Sequence, residues 1–247
     1  MTPRQKEILY KVIQEYIHSA TPISSGYLAS KNEFDVSSAT MRNEMNTLED
    51  LGFLDQVHIS SGRIPTDKAY RFFVEESLVL AKKNETENQI LKNQFLKDIE
   101  NVLVKHDFLK RVKELGKKMA ESSNSLVLIY FPYDNLILHE GWEKVLLEPE
   151  FNDPEYTKSF IKMISKMEKN MQKIIDIYQK LHDPDEILIY IGKEIGFPEA
   201  NNFSILISKC SAQEKDKTSY LSMIGPKRMS YQKNIKLIKI ANKCLKQ

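Results

Sequence analysis

A chain of 247 residues, 41% hydrophobic and 28% charged, is long enough for two modest domains that each bury a core. Cys210 and Cys244 are too few for a disulfide framework and lack the paired spacing of a zinc site, no apolar run approaches the roughly 20 residues that span a bilayer, and Met1–Lys6 has no leader pattern, so a reducing cytoplasmic setting is expected. A net charge of +2 does not by itself point to nucleic acid: the basic excess lies between Lys209 and Gln247, while the first 75 residues are slightly acidic.

Thr2, Pro3 and Gln5 predict a capped helix start, with Thr2 and Gln5 forming a capping box and Pro3 placed where its missing N–H does no harm. Ile8, Leu9, Val12, Ile13, Tyr16 and Ile17 give that helix one apolar face, and Thr21-Pro22 interrupts it. Ser24 or Ser25 caps a short second helix through Tyr27, Leu28 and Ala29. Ser37 caps a third, in which Met41, Met45 and Leu48 share a face, with Leu51 close to it and Gly52 as the stop. This order is helix, turn, helix.

The polar positions of the third helix are the candidate readers of DNA: Ser38, Thr40, Arg42, Asn43 and Asn46. Arginine suits guanine and asparagine suits adenine through paired hydrogen bonds, and hydroxyls serve phosphate or base. An isolated helix of this composition reads as well as a solvated face. The segment after Gly52 decides between the two: an extended run from Phe53 to Ile59, a turn at Ser60, Ser61, Gly62 and Arg63, then Ile64-Pro65-Thr66. A hairpin behind such a helix is a wing, and its tip presents Ser60, Ser61, Gly62 and Arg63 toward phosphate or the minor groove. His58 is either a phosphate contact or a plain strand residue. Asp67 opens a further helix carrying the cations Lys68 and Arg71, while Tyr70, Phe72 and Phe73 read as packing at the junction with the rest of the chain.

Glu75 to about Ser122 predicts two connecting helices broken near Lys105 to Asp107, a possible dimer contact. Ser125–Phe131 suits a buried strand, Leu136–Trp142 a second, and Pro154 opens a long amphipathic helix to about Leu181. Strands come next at Glu186–Ile191, Phe203–Lys209 and Thr218–Ile224, and Ser230 caps a last helix. Helices against an antiparallel sheet make an α+β body. The expected division is thus a winged-helix domain over 1–75, a helical connector over 76–122 and an α+β body over 123–247. The five histidines are scattered, so no catalytic constellation, metal site or cofactor is expected.

The segment Asp35-Val36-Ser37-Ser38-Ala39-Thr40-Met41-Arg42-Asn43-Glu44-Met45, then Leu48-Glu49 and Leu51-Gly52, then Ser61-Gly62-Arg63-Ile64-Pro65-Thr66-Asp67-Lys68, closely resembles the heat-inducible transcription repressors of the HrcA family. Leu147-Glu148-Pro149-Glu150-Phe151, Ile191-Gly192-Lys193-Glu194 and Ile224-Gly225-Pro226-Lys227-Arg228-Met229-Ser230-Tyr231 resemble the family's body motifs. The resemblance implies an N-terminal winged helix-turn-helix and a GAF-like α+β body. It also implies a homodimer bound to double-stranded DNA at an inverted-repeat operator, the CIRCE element, ahead of chaperone genes, with the chaperonin system supporting the active repressor. The family's DNA contacts carry over onto Ser38, Thr40, Arg42, Asn43, Asn46, Ser60, Ser61, Gly62 and Arg63, with Lys68 beside them. The chain departs from the pattern between the strand at Ser125–Phe131 and the segment Leu138–Phe151, where the family carries a substantial insert associated with dimerisation and induction.

Overall fold

A computed structural model of the chain describes residues 1–31, 34–56, 62–83, 108–181, 186–211 and 218–245. They divide into two compact units, Met1–Ser77 and Leu78–Gln247.

In the first unit, α1 (Pro3–Ser19) begins with the reciprocal cap: Thr2 Oγ1 accepts from the Gln5 N–H at 3.2 Å and Gln5 Oε1 from the Thr2 N–H at 2.8 Å. It buries Ile8, Leu9, Val12 and Ile13 and ends at Ala20 in the left-handed region. Ser24 caps α2 (Ser25–Ser30), and Ser37 caps α3 (Ser38–Asp50), accepting from the Thr40 N–H at 3.1 Å. Met41, Met45 and Leu48 fix α3 in the core, whereas Leu51 is exposed. The stop at Gly52 takes a definite form. With φ +74° it lets its own N–H reach Glu49 O at 2.8 Å and the Phe53 N–H reach Leu48 O at 2.9 Å, the paired bonds of a Schellman ending.

Strand β1 (Leu54–Asp55) pairs antiparallel with β2 (Ile64–Pro65), and a bridge from Ile23 to Arg63 adds a third backbone segment. Helix α4 (Asp67–Lys83) comes next, its residues to Ser77 belonging to this unit. Tyr70 and Phe73 are buried, and the Tyr10 ring lies 5.1 Å from Phe73 and 6.1 Å from Phe72, which in turn is 5.9 Å from Phe53. The aromatics expected at a junction therefore complete the head's own core, because α4 lays them across α1. Burial, reinforced by Glu76 accepting the hydroxyl proton at 2.6 Å, pushes the Tyr10 phenol well above its ordinary range.

In the second unit, the expected first connector helix and its break at 105–107 fall largely outside the described residues. The second, α5 (Phe108–Ser123), buries Phe108, Val112, Leu115, Gly116, Met119 and Ala120 and packs on the sheet, so it is part of the body rather than a free connector. Strands β3 (Leu126–Phe131), β4 (Leu136–Glu140), β5 (Leu188–Ile191), β6 (Phe203–Ser211) and β7 (Thr218–Pro226) form one antiparallel sheet in the order β4-β3-β7-β6-β5. A short α6 (Trp142–Val145) and α7 (Pro154–Lys169) and α8 (Met171–Leu181) precede β5, and α9 (Tyr231–Leu245) closes the chain. The single helix expected from 154 to 181 is broken at Asn170, whose side chain donates to Lys166 O at 2.8 Å and competes with the backbone ladder.

Alternation along the strands sorts the core into two faces. Leu126, Leu128, Tyr130, Phe203, Ile205, Ile207, Tyr220 and Ile224 pack with Phe160, Met163, Ile164, Met167, Met171 and Ile175 of α7 and α8. The opposite face meets α5 and α9 and carries small polar groups, two of which are satisfied internally: Ser204 Oγ lies 2.6 Å from the Tyr231 hydroxyl, and Asn242 donates to Ser208 Oγ at 2.8 Å.

Two of the body segments that carried the family resemblance meet at one ion cluster. The guanidinium of Arg228 is buried between Glu148 and Glu150, donating to Glu150 Oε2 at 2.8 Å and also to Glu148. Burial alone would lower its pKa, yet the Glu150 and Glu148 carboxylates drive it up, so the cation is permanent. Removing one partner from such a cluster strands the others, and Arg228→Ala should destabilise the body by about 3 kcal/mol. Urea unfolding followed through Trp142, the chain's single tryptophan, measures this; an unchanged midpoint would show the cluster to be dispensable.

Candidate nucleic-acid interface

Because Met41, Met45 and Leu48 turn inward, the helical repeat turns the remaining residues of α3 outward: Ser38, Ala39, Arg42, Asn43, Asn46 and Thr47 are all exposed. Ser38, Arg42 and Asn46 fall one turn apart along this face, with Asn43 beside them. The side chains of Arg42 and Asn43 have no hydrogen-bond partner among the described residues, so both are available. Thr40 differs: it is half-buried and its hydroxyl lies 3.0 Å from Ser37 Oγ, within the cap.

Two of the three acids of the same helix are occupied, and the third, Asp50, is its exposed last residue. Glu44 accepts from Gln5 Nε2 at 3.0 Å and faces Arg4 at 3.9 Å, and Glu49 accepts from Arg63 Nε at 2.8 Å. Their charge is partnered away from the polar face that carries Arg42, which is how a slightly acidic head can present a locally favourable surface to phosphate.

Arg63 is placed differently from its expected position at an exposed wing tip. It is only 7% exposed, and its guanidinium reaches back to α3, donating to Glu49 and, through Nη2, to Asn46 Oδ1. The cause is the backbone: Arg63 N donates to Ile23 O at 2.8 Å and Ile23 N to Arg63 O at 2.9 Å, and this bridge fixes which side of the strand the side chain leaves from. Gly62 serves the same bridge, since a Cβ there would stand 2.5 Å from the Ile23 carbonyl carbon. Lys68 is also engaged locally, donating to the Leu51 carbonyl at 2.7 Å with its ammonium 4.5 Å from the Phe53 ring centroid, so it caps the end of α3. Ser60 and Ser61, like His58, lie outside the described residues. Glu49, which the polar pattern of α3 does not single out, is the residue that holds Arg63; its place three residues after Asn46, on the neighbouring turn of the helix, is the sequence signal for it.

Among the described residues no group of three or more His, Cys, Asp or Glu side chains could hold a metal ion, and no helix is long and apolar enough to cross a membrane. The described surface of α3 offers amide and hydroxyl groups and the unpartnered guanidinium of Arg42, groups suited to reading a base edge.

Residues 1–78 match the family model of the winged helix-turn-helix transcription repressor HrcA, DNA-binding, and residues 70–235 that of the HrcA protein C-terminal domain. The chain belongs to the HrcA family. It is similar to the heat-inducible transcription repressor HrcA of Thermodesulfovibrio yellowstonii, 26% identical over 95% of this chain and 94% of that one. It is also similar to that of an Arthrobacter species, 32% identical over 73% of this chain and 50% of the relative. A crystal structure of a hypothetical protein shares the fold, with a TM-score of 0.80 at 20% identity over 100% of this chain and 98% of that one. HrcA proteins are transcription repressors rather than enzymes, and the head is accordingly a winged-helix DNA-binding domain. The alignment to the Thermodesulfovibrio repressor runs over 334 positions against 247 residues here, so the relative carries internal sequence with no counterpart. Here β3 and β4 are joined by the four residues Pro132–Asn135.

Gly62→Ala should force apart the backbones of Ile23 and the wing base, costing the head about 1–3 kcal/mol. Thermal unfolding of the head's signals tests this; a variant as stable as the native chain would show that the close approach is not a constraint.

Proposed function

We propose that this HrcA-family chain is a homodimeric repressor of chaperone genes in the cytoplasm, each protomer placing α3 in the major groove of one half of a CIRCE-type inverted repeat. The observation that carries this reading is the exposed face of Ser38, Arg42, Asn43 and Asn46 on a helix anchored through its opposite side. In this reading Ser60, Ser61 and Gly62, which the family resemblance assigns to DNA contact, serve the phosphate backbone, with Arg63, Lys68 and Thr40 supporting the geometry from within. Dimerisation through the 76–122 region is supported by Val79 and Leu109, both exposed and apolar within the described parts of that stretch, while the short β3–β4 turn leaves no room there for the family's insert. Modulation by the chaperonin system, which the family resemblance implies, completes the reading.

Binding to the inverted repeat should exceed binding to a half-site-scrambled duplex by orders of magnitude, read by fluorescence anisotropy with the full chain. Arg42→Ala and Asn43→Ala should each cost about 1–3 kcal/mol on the intact repeat and far less on the scrambled one. Equal affinity for both duplexes would sink the proposal. The mass of the complex in solution should correspond to two chains per repeat, and one chain per repeat would remove the dimer from it.

A further inference from the structure

Resting on that DNA-binding reading, we propose that Asn46 reads guanine, not adenine, because Arg63 draws its amide oxygen toward the head and leaves the amide nitrogen as the outward group. Asparagine ordinarily pairs with adenine by donating from Nδ2 to N7 and accepting at Oδ1 from the N6 amino group. Here Oδ1 is taken. The group that faces it is a guanidinium, which has five N–H donors and no acceptor, so the amide atom turned toward Arg63 can only be the oxygen. The same guanidinium is held by Glu49 at 2.8 Å and pinned by the backbone bridge to Ile23, so the amide orientation is imposed from inside the head before any DNA arrives.

The outward half of Asn46 is then its amide nitrogen. Asn46 is exposed, and Nδ2 makes no hydrogen bond among the described residues. A base amino group approaching the Oδ1 side would bring its own N–H donors against the Arg63 guanidinium that already holds the oxygen, which disfavours both adenine and cytosine. The two N–H groups of Nδ2 instead match an edge made only of acceptors. Guanine offers two, N7 and O6, while thymine offers O4 alone beside a methyl group. Asn43, on the same face but without an internal partner among the described residues, keeps its acceptor and with it the adenine pairing. Two asparagines three residues apart thus acquire opposite preferences from one arginine.

The test is selection from a pool of duplexes randomised across an inverted repeat, using the full chain in its native form and as Asn46→Asp and Arg63→Met variants, with sequencing of the bound fraction. The native chain should show a guanine in each half-site whose preference over adenine, on the order of tenfold, depends on Asn46. Aspartate keeps the contact to Arg63 but can only accept, so Asn46→Asp should turn that one position toward cytosine, whose N4 donates, and leave the others in place. Arg63→Met frees Oδ1 and should admit adenine there. Should Arg63→Met fail to fold, judged by its melting temperature, the Asn46→Asp profile decides alone. An Asn46-dependent position that is adenine in the native profile, or an Asn46→Asp profile identical to the native one, overturns the assignment while leaving the repressor reading intact. A native chain that selects no repeat overturns both.

Discussion

The guanidinium of Arg63, held between Glu49 and Asn46, ties the base of the wing to the recognition helix, and the DNA-facing geometry of the head depends on that contact. Hydrogen bonds to charged groups contribute about 1.5–3 kcal/mol each when partly shielded, enough to hold one side-chain arrangement against the alternatives an exposed helix would sample. The contact also eases a charge problem. A helix carrying Glu44, Glu49 and Asp50 would repel phosphate; pairing Glu49 with Arg63 and Glu44 with Gln5 and Arg4 removes two of these charges, leaving the unpartnered Arg42 near the start of the outward face and the exposed Asp50 at its far end.

Around this clamp the head is assembled from local devices that agree with one another. Ser37 starts α3, the Schellman ending at Gly52 stops it, Lys68 covers the Leu51 carbonyl that would otherwise be free, and Thr66 donates to the Gly52 carbonyl at 2.8 Å. Each fixes where the chain leaves the helix and therefore where the wing begins. The body obeys a separate logic, a five-stranded antiparallel sheet with helices on both faces, closed by the Arg228 cluster that joins the Glu148–Glu150 segment to the turn after β7.

Much of this was legible in the residues. The helices of the head, their caps, the polar face of α3 and every strand of the body derive from periodicity and punctuation, which are local properties. The features that escaped depend on contacts distant in sequence. Arg63 looked like a wing-tip cation because the turn signal at Ser60–Gly62 is local, whereas its side-chain direction is set by Ile23, forty residues earlier, through a two-bond bridge. Tyr70 and Phe73 carried an aromatic pattern that fits either a domain junction or a core, and only the crossing of α4 over α1 assigns them. The break at Asn170 was hidden by apolar spacing that continues on both sides of it.

Recognition in this head should rest on a few placed contacts rather than on bulk charge, and the salt dependence of operator affinity measures that directly. Each phosphate neutralised contributes about −0.9 to the slope of log K against log salt concentration. A shallow slope, corresponding to a few phosphates per head, with discrimination between the intact and the scrambled repeat retained as salt rises, is the result that fits an inward Arg63 and an outward Arg42. A slope of about −10 with discrimination collapsing as salt rises would contradict it, and would mean that cations held inside the head in this structure are turned out onto the DNA.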